Sequence, residues 1–544
     1  MPARLPSVAG ADLLWLLELD FAGRTFRFST EPLDISKADG TAISYPGGLD
    51  DPGYQESLDR FSHSIDEQTI SLELVLPVNV PELIQMGHLL GGGRAELSCV
   101  LRQADTIQQT YEGRLVVLSG SLSEPQYGFP DQPAGYVATT IEGSLTEDAG
   151  LFLSASQTIS EDTFAAVATA GKDEHEGKPY PMVFGTPGAY QDGSGNSKTT
   201  SGSPAYIIDA NTGATDNPAT KLLIAGHHVN ASTVLIFDST NYQSFSVTNT
   251  TDDLGQQIAI VDTSTPGDID ATEREFWVGW NGDGGMANPW STAAELQGAG
   301  DVLRWALTYS TMDIDHGAWA AAADFLNRFK LAGYISDPEA TVWEWVSDLA
   351  EPLPVTLRKG AGGIYPIIHD IRARPSDGIQ ITASPEFQQI SPVQIEGQLS
   401  DIFNSIRIGY AFRAKTSDPK RYAVIGTKET GDPSSFSTTT TRQSISRYGR
   451  RFRSIDGPYI YDRTTAQLIV KNLADREALP PRQVDYRASA RFAHISLGDV
   501  VTLTDPDLSF TGQACIVAGR AWDIDSWIFT LLIDSIPDRD DHAF

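Results

Sequence analysis

His227 and His228, the turns at 281–285 (NGDGG) and 504–508 (TDPDL), and the acid pairs Asp313/Asp315 and Asp523/Asp525 are the positions in this chain that could hold a metal or move a proton. Each falls short on spacing. Zinc needs three or four converging ligands, and neighbouring residues on a strand point to opposite faces, so a His-His pair with no third ligand nearby does not make a site. The two turns carry oxygen ligands but lack the spaced acids and closing Glu of a helix-loop-helix calcium site. Glycoside hydrolysis would need two carboxylates facing each other across a cleft. With 71 acids in the chain, chance pairs are certain and none stands out. A nucleophile elbow, a two-histidine zinc helix and a phosphate-cradling glycine loop are all missing from the sequence. The expectation is therefore no catalytic residue, no metal and no cofactor.

A second constellation is basic. Arg442, Arg447, Arg450, Arg451 and Arg453 cluster around Tyr448 in a chain with 39 bases against 71 acids and a net charge of −32. One reading is a set of local ion pairs with nearby acids. The other is a subunit contact, because guanidinium forks suit carboxylates and copies of so acidic a chain need positive patches to associate. Trp343, Trp345, Trp522 and Trp527 are core residues or interface anchors.

The elements that must position these residues are mostly strands. A hairpin spans 14–20 and 24–29 around Gly23, strands follow at 69–76, 95–102 and 113–118, and Pro81 opens a short helix at 81–90. A polar stretch at 150–170 reads as a linker. Beyond GKPYPMVFG (177–185), the runs PAYIID, KLLIAG, STVLIFD, QQIAIVD and EFWVGW predict a sandwich or barrel. Thr292 and Glu295 form a capping-box pattern before a first helix, and a second carries Trp319, Phe325, Leu326 and Phe329. Asp337 and Pro338 start a third, which presents Val342, Trp345, Val346 and Leu349. Strands return at 355–435, including 406–412. The closing block holds a helix over 464–478 stopped by Pro480-Pro481, then strands at 485–492, 500–504, 514–523 and 527–534.

The predicted fold is mainly β with α+β parts and multidomain: small β-barrels plus a helical domain and an inserted β-rich domain. The boundaries are 1–150 for an N-terminal barrel, 171–288 for the inserted domain, 289–380 for a helical and mixed domain, 381–535 for a C-terminal barrel and mixed domain, and 536–544 for a solvated tail. A length of 544 residues, 48 glycines and 31 prolines agree with several turn-rich domains. Cys99 and Cys515 alone make neither a thiolate metal site nor a disulfide scaffold and read as two buried thiols. The first residues are weak as a signal peptide and too short in apolar length to cross a membrane, so the chain is read as made in a cytoplasm. The acidity disfavours tight nucleic-acid binding and fits solubility or a salty habitat equally.

The segment SRYGRRFRSIDGPYIYDRTTAQLIVKNLADREALPPRQVDY, followed by ISLGDVVTLTDPDL, resembles the hub proteins of phage tail tips and baseplates, which also serve tail-like gene transfer agents. The matching features are an Arg-Tyr-Gly turn, a Pro-containing strand, an Asp-capped helix, a Pro-Arg pair and an L-G-D-x-V entry into a barrel strand. The Trp343 helix with GAGGIYPI, and the first barrel block, are similar in a looser way, whereas 171–288 has no firm counterpart in the common core of such hubs, although its opening GKPYPMVFG is similar to segments of some tail-tip proteins. The resemblance implies a structural virion protein and not an enzyme. It implies a homotrimer whose paired barrels match a sixfold tube above and a threefold tip below. The implied partners are a distal tail or tube protein on one side and tip or fibre proteins on the other, with possible host-envelope contact. DNA would pass an acidic lumen without specific binding during ejection. On this reading Arg447, Arg450, Arg451, Tyr448, Trp343 and Trp345 are the interface candidates. The alternatives are a tail-associated cell-wall or polysaccharide hydrolase and a receptor- or carbohydrate-binding tail protein.

Overall fold

The first strand, Asp12–Phe21, is apolar at nearly every position because both of its faces are buried. Trp15 and Leu17 face one core, and Leu14 and Leu16 face another closed by Ile35, Ile43 and Tyr45. Glu18, in the same run, is kept charged. Burial opposes ionisation, but the hydroxyls of Tyr111 (2.8 Å) and Tyr45 (2.9 Å) and the Arg27 guanidinium (2.7 Å) hold its carboxyl below the ordinary range. The expected hairpin is present, with Phe21 paired to Arg24, and this strand sits inside an eight-stranded sheet with Arg94–Gln103, Leu115–Leu122 and Tyr136–Gly143.

These coordinates come from a computed structural model that describes residues 10–21, 24–57, 68–75, 94–122, 126–127, 136–143, 158–160, 162–164, 175, 177–192, 194–210, 219–237, 242–263, 275–280, 284–291, 295–310, 313–337, 341–360, 363–368, 379–395, 399–426, 435–480, 482–523 and 525–533. The helix expected at 81–90, most of the stretch at 150–170, the Thr292 capping position, Pro338 and the tail at 536–544 lie outside the described residues.

A second eight-stranded sheet is built from the other end of the chain by Val500–Asp505, Phe510–Asp523, Ser526–Ile533 and Arg482–Ala488. Its last hairpin turns where expected, with Asp523 paired to Ser526. The two sheets share one core. The short strand Gln55–Ser57, from the N-terminal part of the chain, joins the second sheet by pairing with Phe510–Asp523, and Trp15, Tyr54, Trp522 and Trp527 pack ring against ring at centroid distances of 5.1 to 6.4 Å. Arg520 lies within this group, donating to the Tyr54 hydroxyl (2.8 Å) and the Ile495 carbonyl (3.0 Å) beneath the Trp527 ring. Cys99 and Cys515 are free buried thiols of the same core, and burial pushes Cys99 up to about 12.

The block after GKPYPMVFG is a closed six-stranded barrel in the order Ser203–Ala210, Ala219–Ala225, Gln257–Asp262, Tyr242–Thr251, Thr233–Phe237 and Phe276–Trp280. Five of these are the apolar runs read from sequence. The sixth, Tyr242–Thr251 (YQSFSVTNTT), was not picked out, because Phe245 is its one fully buried side chain among the described ones. The barrel is bound to the rest of the chain by the strand Met182–Phe184, which pairs with Gly333–Ile335. Its alternation divides it between two cores: Val183 enters the barrel, while Met182 and Phe184 enter the helical core. Gly185 then turns at φ 59°, where a Cβ would sit 2.5 Å from the Leu331 carbonyl oxygen.

Five helices stand among the described residues: α1 (Ala299–Leu307), α2 (His316–Leu326), α3 (Val342–Ala350), α4 (Thr439–Tyr448) and α5 (Arg463–Glu477). Two starts differ from expectation. Helix α1 begins after Gly298 without a side-chain cap, and Glu295 instead accepts the Gly284 N–H. Helix α3 starts at Thr341, whose hydroxyl accepts the Glu344 N–H, not at Asp337. Helix α5 begins as predicted, with the Asp462 carboxylate capping Thr465 (2.7 Å). It is buried around most of its circumference, with Lys471, Asp475, Arg476 and Glu477 as well as Ile469 and Leu473 removed from solvent.

Candidate functional site

The arginine segment is not the turn that its sequence suggests. Its first half is helix α4, opened by a reciprocal capping box between Thr438 and Thr441 and ended at Gly449, whose φ of 73° favours glycine. The corner that follows is fixed by a buried residue some forty positions earlier in the chain. The Asn404 amide donates to Ser444 Oγ (3.0 Å) and the Gly449 carbonyl (2.8 Å), and its oxygen accepts the Arg451 N–H (2.8 Å). The Arg451 carbonyl in turn accepts from the Asn404 and Ser405 N–H groups. Because these contacts use backbone, the arginine side chains are left to point elsewhere.

Each arginine then meets a different fate. Arg453 turns inward to the buried Glu477 carboxylate (2.7 Å) and is the member of the group whose ion pair fits the local reading. Arg450 donates to Ser405 Oγ (3.1 Å), and Arg442 reaches Thr439 Oγ1 at 3.4 Å. Arg442, Arg447, Arg450 and Arg451 make no ion pair among the described residues, and Arg442, Arg447 and Arg450 are exposed. Tyr448 is half-buried beside them. Trp343 and Trp345 lie in the helical core, 7% and 6% exposed.

The corner feeds the strand Phe452–Asp456, which runs parallel to Ser405–Arg413 in a four-stranded sheet covered by α5 on its inner face. The outer face carries Arg407 between the rings of Tyr422 (4.7 Å) and Phe452 (5.4 Å), with its Nε donating to Ser454 Oγ (3.2 Å). Tyr422 and Phe452 are 39% and 48% exposed, so this face is an aromatic and basic surface next to the arginine corner. Arg407, Tyr422 and Asn404 were missed from sequence. The signal available for the first two was alternation along 405–413 and 418–425. Nothing local marked Asn404.

The residues first considered for chemistry serve as structure. The His227 Nε2 accepts the Val183 N–H (2.9 Å) while its Nδ1 donates to the His228 carbonyl (2.9 Å), which fixes a neutral tautomer, and burial pulls its pKa down. His228 donates to the Thr250 carbonyl (3.0 Å). Asp315 caps α2 through the Ala318 N–H, and Asp505 accepts from the Tyr486 hydroxyl and the Asp507 N–H. Asp523 lies 3.6 Å from Arg487. Among the described residues no three His, Cys, Asp or Glu side chains are grouped to hold a metal.

No family model matches the chain, and no curated protein does. Among solved structures it is similar to a tail protein from Neisseria meningitidis MC58, at 10% identity and a TM-score of 0.37 over 96% of each chain. It is also similar to the 43 kDa tail protein of prophage MuSo2 from Shewanella oneidensis, at 9% identity and 0.34 over 96% of this chain and all of that one. The prophage tail protein gp18 from Listeria monocytogenes EGD-e is similar at 8% identity and 0.33, covering 97% of this chain and 95% of its own.

Proposed function

We propose that the chain is a structural protein of a virion tail, acting as the hub of a phage tail tip or baseplate, or of a gene transfer agent. In this role it assembles as a trimer that joins the tail tube to the tip and lines a conduit for DNA. The observation that carries this reading is the joint between two eight-stranded sheets drawn from opposite ends of one chain. Two such sheets per chain allow three copies to present six similar units to a tube above and threefold symmetry below. The net charge of −32 agrees with a wall along which DNA slides, since fewer phosphate contacts mean less retention. Exposed Arg447 and Arg450, which make no ion pair among the described residues, are cations available for contact with another acidic copy.

The test is electron microscopy of the purified protein together with a crosslinking map of the particle. Threefold rings with a central pore, crosslinked to a tail-tube or distal-tail protein, are expected. Monomers active in a peptidoglycan-release assay would overturn the reading in favour of a tail-associated hydrolase. Replacing Arg447, Arg450 and Arg451 together by Glu is expected to impair ring assembly while leaving each chain folded, because Asn404 holds the corner through the Arg451 backbone N–H and the side-chain bond lost is the one from Arg450 to Ser405 Oγ. Rings that survive this change would remove the arginines from the contact.

A further inference from the structure

A cavity of about 330 Å³ opens where three distant parts of the chain meet: the hairpin Ala189–Gln191 with Ser197–Thr199 beside the barrel, the loop after α2, and the start of α5. Each part contributes a cation. Lys198 comes from the hairpin, Lys330 from the loop and Arg463 from the first position of α5. The one acid in the lining, Asp462, is engaged in capping, accepting from the Thr465 N–H (2.7 Å) and hydroxyl (2.8 Å). The charged lining is thus three cations against one carboxylate, with Lys198 also 3.9 Å from the Asp192 carboxylate just outside it, inside a molecule with 71 acids and 39 bases. Neutral groups complete it: the Tyr190 ring and the side-chain amides of Gln191 and Gln297.

We propose that this cavity binds an anionic sugar, a monosaccharide-sized unit bearing a carboxylate or a phosphate. The volume lies at the small end of ligand sites, which suits one or two sugar rings. An aromatic face covers the apolar side of a sugar ring, amides match its hydroxyls, and converging cations take the anionic substituent through charge-assisted hydrogen bonds. Long polyanions are a poor fit, because the chain's net charge of −32 opposes them. The inference concerns a small ligand and stands whether or not the chain is a tail hub.

The experiment is isothermal titration of the full-length protein, at constant ionic strength, with glucuronate, glucose 6-phosphate, glucose and inorganic phosphate. The comparison is with the Lys198→Ala/Lys330→Ala double variant and with Lys420→Ala, which removes an exposed lysine outside the cavity. One or both anionic sugars are expected to bind the wild type and the Lys420→Ala variant alike. The double variant is expected to lose roughly tenfold or more, as the loss of charge-assisted contacts implies. The arm that binds more tightly tells carboxylate from phosphate. Equal binding of glucose and glucuronate with no binding of glucose 6-phosphate, or unchanged binding by the double variant, overturns the proposal. Inorganic phosphate binding as tightly as glucose 6-phosphate, with glucuronate silent, also overturns it, since the site would then read an oxyanion and no sugar. Both lysines are exposed, so an unchanged Tm of the double variant without ligand establishes that it is folded.

Discussion

The joint between the two large sheets and the attachment of the closed barrel solve the same problem in different ways. At the joint, a continuous apolar core runs through both sheets, centred on Trp15, Tyr54, Trp522 and Trp527, with backbone pairing at Gln55–Ser57 added to it. At the barrel, one link is the strand Met182–Phe184, whose alternation serves two cores at once and whose Val183 N–H is held by His227, beside hydrogen bonds such as that from the Ala414 N–H to the Ser201 carbonyl (3.0 Å). Large shared apolar area makes the first pair of units one cooperative body. A three-residue strand fixed by a few hydrogen bonds holds a unit that already has its own closed core. Stability at the joint therefore rests on volume, and at the strap on polar detail.

The strongest way to break this contrast is at the joint. Trp527 is fully buried against Trp15, Tyr54, Trp522 and Phe529. Trp527→Ala is expected to cost about 3 to 5 kcal/mol and to lower the unfolding midpoint of both sheets together. Urea unfolding followed by pulsed hydrogen exchange checks this. If the strands at Asp12–Phe21 keep their protection while those at Ser526–Ile533 lose theirs, the sheets are separate bodies and the comparison fails.

A smaller effect is expected at the strap. His227→Ala leaves the Val183 N–H without its acceptor, at a cost of roughly 1 to 3 kcal/mol. Exchange at 182–184 should rise while the barrel strands stay protected. Acid should act in the same direction on the wild type. Burial depresses the folded pKa of His227, so the unfolded chain takes up the proton first. The strap's contribution is present above about pH 6.5 and is lost as pH falls below it. An exchange rate at Val183 that does not change between pH 7.5 and 5.5, after correction for intrinsic chemistry, would exclude this.

The sequence showed one side of the contrast better than the other. Apolar runs, hairpin turns and the Asp462 cap are local signals, and five of the six barrel strands, the last hairpin and α5 follow from them. Three kinds of element were hidden. Tyr242–Thr251 closes the barrel with mostly polar side chains because its pairing, not burial, does the closing. Helix α4 lacks an acidic first turn and a wide apolar face, so a threonine capping box was its one local mark. The third kind is assembled at long range: Gln55–Ser57 beside Phe510–Asp523, Asn404 beneath the arginine corner, and the three cations of the cavity. No periodicity within a window can reveal residues that meet only after folding. His227 was weighed in the sequence only as a metal ligand, and its bond to the Val183 N–H is likewise formed only on folding.

The smallest predicted effect sharpens the contrast by its sign. Asp51 sits at the sheet joint, where its carboxylate accepts the Trp522 indole N–H (3.1 Å). Burial pushes its carboxyl up to about 6, and repulsion from Asp50 and Asp523 adds to this, against the opposing pull of the Trp522 hydrogen bond. The folded chain therefore holds this proton more tightly than the unfolded chain. The joint is strongest below the ordinary carboxylate value and weakens as pH rises through about 6, the reverse of the strap. Asp51 is exposed to solvent, so screening limits the effect to about 1 kcal/mol or less. Asp51→Asn preserves an acceptor for Trp522 and removes the charge. It should raise the unfolding midpoint at pH 7.5 by a small amount and leave it unchanged at pH 4, so the two midpoint curves converge on acidification. A wild-type curve that runs parallel to the variant's across that range would mean that the carboxylate is not strained, and that the two joints do not differ in their response to protons.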